Sequence, residues 1–181
     1  MNGSVAVLQA LSAQLALFQA LLLAASAIHK AGRWPHSRDV MHRFGGVPRA
    51  AAGALLTATL AVELLTSAAL LVPAYRATGA MLAALLWTLY LGLIARAIVQ
   101  RRRDVDCGCT FGASSASLGA FQLTRNTVLA GLAVGIASVS ATRGSVPAQG
   151  SQVLGAIALL ALYGALDQVM ALQPLRRGEI S

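Results

Sequence analysis

Charged residues are scarce in this chain. Asp, Glu, Lys and Arg make up only 11% of its 181 residues, whereas soluble proteins carry about 25%. Hydrophobic residues make up 57%, and a soluble domain cannot cover so much apolar surface. The composition therefore excludes a soluble protein and predicts an integral membrane protein with a single membrane domain, 1–181.

Aromatic residues are also few, at 5% of the chain. The formal net charge of +8 is concentrated at the ends of apolar stretches and is not interleaved with aromatics, so the sequence does not predict nucleic-acid binding. A phosphate-binding loop of the Gly-x-x-x-x-Gly-Lys-Ser/Thr type is missing from the sequence. No nucleophile–His–acid arrangement stands out either, and hydrolase and nucleotide-driven functions have no support.

Long apolar stretches dominate the rest of the sequence. A membrane-spanning helix needs about 20 such residues, and a lone strand would leave its backbone unpaired in lipid. The fourth stretch is the shortest, so we predict an all-α bundle with four to five transmembrane helices. The first stretch has no basic residue before Lys30, so we interpret it as a retained helix and not a signal peptide. The predicted helices cover about 5–28, 50–72, 77–99, 126–141 and 151–172.

The distribution of Lys and Arg predicts the orientation of the chain. Basic residues gather in the loops after the first and third stretches and in the C-terminal tail, whereas the second and fourth loops hold only Arg76 and Arg143. Cytoplasmic loops are the basic ones. We therefore expect a multi-pass protein of the cell (inner) membrane, with its N-terminus outside and its C-terminus in the cytoplasm.

The chain has only two cysteines, Cys107 and Cys109, and a single glycine separates them. They lie in the polar loop 101–124, which the charge rule places on the cytoplasmic side. Structural disulfides are rare in the cytosol, and a bond across one residue closes a strained, labile ring. The pair is therefore predicted to exchange between dithiol and disulfide, with two reduced thiols of no special role as the simpler alternative. The basic run 101–103 would favour the thiolate, and Asp104 and Asp106 would oppose it.

A metal site is a second use for the cysteine pair. His29, His36 and His42 lie on the same predicted side and could complete a zinc or copper(I) site. However, there is no second cysteine pair and the histidine spacing is irregular, so no metal site is predicted.

Two acidic residues fall inside predicted spans, where ionisable groups are costly and usually face the bundle interior. Glu63 is either a packing carboxyl or a proton carrier beside a redox site, and Asp167 is expected to hold an Arg, Ser or Thr partner.

Trp87 and Tyr90 are predicted to be core or lipid-facing aromatics, or to flank a flat ring such as a quinone. The pattern from Gly131 to Gly135 permits close helix approach, and we expect it to serve internal packing.

The stretch 106–112, Asp-Cys-Gly-Cys-Thr-Phe-Gly, followed by Arg125-Asn126, resembles the methylamine-utilisation protein MauE family. The closing turn of the first helix and Glu63 in the second also fit this family of small DoxX-like membrane proteins. Thr110 is an insertion relative to the usual Cys-Gly-Cys-Phe-Gly pattern.

The resemblance implies a membrane factor for maturation of an exported, disulfide-rich methylamine dehydrogenase, working with a thioredoxin-like, MauD-like partner. We therefore predict thiol–disulfide electron transfer by Cys107 and Cys109, with Glu63 handling protons, in a protein that contacts membrane lipid and is a candidate membrane oxidoreductase. No cofactor is certain, and a quinone is a candidate electron acceptor. The alternatives are a non-enzymatic assembly or export factor and a small transporter. The residues expected to support the loop are Arg101, Arg102, Arg103, Gly108, Phe111, Gly112, Arg125 and Asn126.

Overall fold

The computed structural model describes residues 2–100, 120–143, 146 and 148–177. Within these ranges the protein is a helix bundle, and five helices are long and apolar enough to cross a membrane. The predicted fold class is therefore confirmed. The helices are α1 (Asn2–Gly32), α2 (Trp34–Gly45), α3 (Arg49–Leu71), α4 (Arg76–Val99), α5 (Ala120–Arg143) and α6 (Gly150–Arg177), with a short 3-10 helix at Pro73–Tyr75.

Helix α1 lies at the centre of the bundle and contacts each of the other five helices. Its buried face is formed by small and branched apolar residues such as Ala16 and Leu23, which belong to the same hydrophobic core as Ala83 of α4 and Ala133 of α5. Small side chains at helix interfaces allow the backbones to approach closely in membrane proteins. The outward faces of the other spans carry large apolar residues such as Leu65, which suits contact with lipid.

Helix α5 begins earlier than the sequence indicated. It starts at Ala120, six residues before the predicted start at 126, so part of the stretch assigned to the Cys loop is helical. Polar residues in its first turns, including Gln122 and Arg125, lower the local hydropathy. A search for long apolar stretches therefore does not detect this part of the helix. Because these polar side chains are buried, they belong to the interior of the bundle.

Helix α2 was not predicted and occupies the basic first loop. Pro35 lies in its first turn, where proline costs no hydrogen bond. Gly46 follows its end in the left-handed conformation, with φ 66°, a common helix stop. The helix packs mainly against α3, and Ser37 Oγ donates a 3.0 Å hydrogen bond to the carbonyl of Lys30 in α1. Helix α2 therefore covers the end of α1.

Arg76 opens α4 and does not act as an exposed loop charge. Its side chain is buried. Nε donates to the Leu70 carbonyl at the end of α3 (3.3 Å), and Nη1 donates to the Val146 carbonyl between α5 and α6 (2.7 Å). These bonds satisfy a free carbonyl at a helix end and tie three parts of the chain together.

Two glycine positions show how closely the helices approach. A Cβ built on Gly79 of α4 would lie 2.8 Å from the Leu70 nitrogen and 2.9 Å from Ala69, so α3 and α4 can pack only against glycine there. In contrast, no described atom lies within 4 Å of the Cβ positions of Gly131 and Gly135, and both residues are exposed. The expectation that this glycine pair serves internal packing is wrong, because the pair lies on the outward face of α5.

Candidate functional site

Glu63 of α3 is fully buried, with 0% of its surface exposed. One carboxylate oxygen, Oε1, accepts hydrogen bonds from Lys30 Nζ (2.5 Å), Tyr90 Oη (2.5 Å) and Ser26 Oγ (3.4 Å). Ser26 and Lys30 belong to α1 and Tyr90 to α4. We call these four residues the Glu63 cluster, and it joins three helices in the bundle interior.

Lys30 is the cation of this cluster. Only 3% of its surface is exposed. Nζ also donates to Tyr90 Oη at 3.1 Å and lies 4.8 Å from the centroid of the Tyr90 ring. Ser26 precedes Lys30 by four residues, so both side chains lie on the same face of α1. The ammonium, the phenol and the carboxylate therefore form a closed triangle of hydrogen bonds.

The carboxylate of Glu63 lies deep in the bundle. It lies about 21 Å along α3 from Arg49 at 1.5 Å per residue, which is well inside the 23-residue span. Charged groups in such a place require partners. An ion pair with two hydroxyl donors can hold a carboxylate in the membrane, and a change of its proton count would change the charge of the whole cluster.

Sequence reasoning identified Glu63 but missed Lys30 and the role of Tyr90. Lys30 at the end of the first span has the pattern of a topology signal. Tyr90 is predicted from the sequence to be a core or lipid-facing aromatic, or to flank a flat ring such as a quinone. The signal that could have found Lys30 is the spacing of Ser26 and Lys30, which places two polar side chains on one face of an apolar helix.

A second buried ion pair joins α5 to α6. Arg125 Nη1 donates to Asp167 Oδ1 at 2.8 Å, and both side chains are buried. The Arg125 guanidinium also lies 5.7 Å from the ring centroid of Tyr163. The expectation that Asp167 holds an arginine across the bundle is confirmed. Arg125, which was expected to support the Cys loop, is thus fixed by α6.

Asn126 follows Arg125 and is buried as well. Its Nδ2 donates to the Gln122 carbonyl one turn earlier in α5, at 2.8 Å. The Arg-Asn pair singled out in the sequence therefore lies inside the bundle, in the second turn of α5. The other residues expected to support the loop, and the cysteines themselves, lie outside the described residues: Arg101, Arg102, Arg103, Cys107, Gly108, Cys109, Phe111 and Gly112.

Trp87 belongs to the core. Its Nε1 donates to Gln19 Oε1 of α1 at 3.1 Å, and Gln19 Nε2 donates to the Leu129 carbonyl of α5 at the same distance. Trp87 also makes an edge-to-face contact with Tyr90, with 6.0 Å between ring centroids. This chain of contacts fixes the position of α4 beside the Glu63 cluster.

The histidines of the first loop do not form a metal cluster in the described part of the chain, where no three His, Cys, Asp or Glu residues come together. His42 Nδ1 lies 2.7 Å from the Val47 carbonyl, a contact that holds the turn after α2. The cysteines that would complete the alternative metal site lie outside the described residues.

Residues 8–139 match the family model described as methylamine utilisation protein MauE. The chain is also 34% identical over 124 residues to the methylamine utilization protein MauE of Methylophilus methylotrophus. That alignment covers 68% of this chain and 65% of the relative, so the chain spans just under two thirds of the relative's length. No solved structure gives a significant match. The family match covers most of α1, all of α2, α3 and α4, and most of α5, and the chain belongs to the MauE family.

Proposed function

We propose that this protein supports methylamine utilisation as a membrane thiol–disulfide electron carrier, in which Cys107 and Cys109 alternate between dithiol and disulfide. The observation that carries the proposal is the Cys-Gly-Cys sequence, which contains the only cysteines of the chain, in a member of the MauE family. The curated relative bears the name of a methylamine utilisation protein, in keeping with a role in maturing an exported enzyme of that process.

The proposed reaction balances as a two-electron exchange. Oxidation of the Cys107–Cys109 dithiol forms one S–S bond and releases two electrons and two protons. A disulfide in a thioredoxin-like partner can accept both and become a dithiol, or a quinone can accept them and become a quinol. The reverse half-reaction restores the dithiol with two electrons and two protons taken from a thiol pair. For an exported protein on the opposite face, which is left with its disulfide, these electrons must cross the membrane.

The Arg125–Asp167 ion pair, which follows the Cys loop in the sequence, also supports this proposal. It holds the start of α5 against α6 through a 2.8 Å contact between buried groups. The helix that follows the cysteines in the sequence is therefore anchored in the bundle. The basic run 101–103 would favour the thiolate form of the nearby cysteines.

The Glu63 cluster supports a route for the protons that accompany the electrons. Electron transfer by thiols or quinones moves protons together with electrons, and Glu63 is a buried carboxylate with a 2.5 Å contact to the Tyr90 hydroxyl and another to Lys30. We assign Glu63 the role of proton carrier, with Lys30 and Tyr90 as positioning residues.

The test is the redox state of the cysteines in intact cells. Cells are treated with a membrane-impermeant and then a permeant maleimide, with and without prior reduction, and the labelled protein is scored by gel shift. We expect a disulfide fraction that changes when the quinone pool or a thioredoxin-like partner is depleted. Cysteines that stay fully reduced under all these conditions would overturn the proposal.

Substitutions provide the matched functional test. Cys107→Ser and Cys109→Ser are each expected to abolish formation of active methylamine dehydrogenase, or of whichever exported disulfide protein the cell matures. Thr110→Ala, in the same loop, is expected to have little effect. Full activity in the Cys107→Ser/Cys109→Ser double variant would instead favour a non-enzymatic assembly factor.

A small transporter is the second candidate function, and the specific observation in its favour is the buried Lys30–Glu63 ion pair in the bundle interior. Uptake into sealed vesicles that depends on Glu63 and is unaffected by the two Cys→Ser substitutions would support it over electron transfer.

A further inference from the structure

Two buried polar atoms on one face of α3 have no hydrogen-bond partner among the described residues. They are Glu63 Oε2 and Thr66 Oγ1, and both residues are fully buried. Residues three apart on a helix lie side by side, with about 5–6 Å between their Cβ atoms. A buried polar atom without a partner costs free energy, so each of these two atoms is suited to bind a further polar group.

The Thr66 hydroxyl is buried and differs from the hydroxyls of most threonines in the described helices. Threonine in a helix commonly bonds the carbonyl four residues earlier, and Thr57, Thr59, Thr88 and Thr127 all do so, at 2.8–3.1 Å. Thr66 does not make this bond although it is buried. Its hydroxyl is therefore available to a different partner, on the side of α3 that carries Glu63.

The chemistry of the two atoms defines that partner. A carboxylate oxygen only accepts hydrogen bonds, whereas a hydroxyl donates and accepts. The partner must donate a hydrogen bond to Glu63 Oε2, pair with the Thr66 hydroxyl, and be small enough for a closely packed interior. A water molecule satisfies both requirements, because buried waters bind where two or more polar groups converge.

We propose that one water molecule bridges Glu63 Oε2 and Thr66 Oγ1, and that Glu63 exchanges its proton through this water. Lys30, Tyr90 and Ser26 all bind Oε1, so a proton that arrives through the water forms an O–H bond at Oε2 without displacing them. The inference deepens the proton-carrier role proposed for Glu63 and takes its functional meaning from that role. The water site itself does not involve the cysteines.

A double-mutant cycle on the purified full-length protein in detergent tests the bridge. Thr66→Val keeps the shape of the side chain and removes the hydroxyl. It is measured in the wild-type chain and in a Lys30→Met/Glu63→Met background, with thermal unfolding followed by tryptophan fluorescence. We expect Thr66→Val to lower Tm by about 2–6 °C in the wild type and to have little effect in the background that lacks the carboxylate, because the two residues interact through the water. Thr88→Val is the matched control, since its hydroxyl bonds only its own helix.

Infrared spectroscopy gives a second measurement that does not depend on stability. Protein equilibrated in D2-18O should show an isotope-sensitive O–D band that is lost in Thr66→Val and retained in Thr88→Val. The band should also remain in Cys107→Ser/Cys109→Ser, so failure of the thiol proposal is distinguishable from failure of this one. An unchanged or higher Tm in Thr66→Val, an equal loss in both backgrounds, or an identical band in Thr66→Val would each overturn the water bridge.

Discussion

At the residue scale, the Lys30–Glu63 ion pair sets the electrostatics of the bundle interior. Both side chains are at least 96% buried and their charged atoms are 2.5 Å apart. Desolvation of two such charges is expensive, and their attraction repays it only when the remaining hydrogen bonds are also made. Tyr90 and Ser26 supply these bonds. Loss of one charge therefore leaves a buried, unpaired ion, which is worse than the loss of both charges.

The first prediction follows from this asymmetry. Lys30→Met and Glu63→Gln are each expected to destabilise the protein by about 3–5 kcal/mol, because each removes one charge of a buried pair. The Lys30→Met/Glu63→Met double variant should recover most of that loss. Unfolding of the purified protein, followed by fluorescence of its two tryptophans, measures all three.

The control for this series is Arg43→Gln. Arg43 pairs with Asp39 one turn away on α2 at 2.8 Å, but both side chains are substantially exposed, so its removal should change stability by no more than about 0.5 kcal/mol. A Lys30→Met variant as stable as Arg43→Gln would show that the buried pair contributes nothing to the fold.

The residue scale also shows what the sequence can and cannot predict about the site. Burial of Glu63 and the arginine partner of Asp167 were predictable, because a charge in an apolar stretch must face the interior. The identity of the Glu63 partners was not, since it depends on how α1 and α4 are rotated and on the depth at which Lys30 meets α3. A lysine at the end of a span has the same sequence signature whether it turns to the headgroups or to the core.

At the scale of the helices, close approach between α3 and α4 depends on Gly79. Any side chain there would collide with backbone atoms of α3, and backbone cannot rotate away as a flexible side chain can. Gly92 lies in the same helix, and no described atom is within 4 Å of its Cβ position. The two glycines thus have opposite packing roles in one helix.

The second prediction compares these two positions. Gly79→Ala should destabilise the protein by about 1–3 kcal/mol through overpacking. Gly92→Ala should be neutral or stabilising by up to about 1 kcal/mol, since alanine is the better helix former. Thermal unfolding of the two variants side by side checks this, and equal effects at the two positions would contradict the observed α3–α4 contact.

Helix boundaries were predictable where hydropathy alone decides them. The bounds of α3 and α4 lie within one residue of the predicted 50–72 and 77–99. The first turns of α5 and all of α2 were missed because polar residues form them, and an apolar-run criterion does not register a polar helix that is buried or lies at the membrane surface. The outward position of Gly131 was missed for a different reason, because spacing does not show which face of a helix points to the bundle.

At the scale of the whole molecule, we propose that the five long apolar helices all cross the membrane, which would place residues 2 and 177 on opposite sides of it. The described ranges contain five such helices, and Lys and Arg concentrate in the loops after α1 and α4 and in the C-terminal tail. The positive-inside rule therefore favours a cytoplasmic C-terminus, with the Cys loop on the same side.

The third prediction tests this orientation. A fluorescent protein fused after residue 181 should be fluorescent, and alkaline phosphatase fused at the same site should be inactive, because that enzyme matures only outside the cytoplasm. A phosphatase fused between α5 and α6, after residue 148, serves as the control and should be active. The reverse pattern would place the cysteines outside and would remove the cytosolic argument for a labile pair.

The buried cations also bear on how the chain enters the membrane during synthesis. Lys30 precedes Glu63 by 33 residues, Arg125 precedes Asp167 by 42, and Arg76 precedes the Val146 carbonyl by 70. In each case the ribosome makes the cation long before the acceptor that neutralises or binds it. An unpaired cation is costly in lipid, so we expect α1 to reach its final depth in the bilayer only after α3 is made, and α5 only after α6. We therefore expect α1 to settle together with α3 and α5 together with α6, and the segment between α5 and α6 to supply the last contact of Arg76.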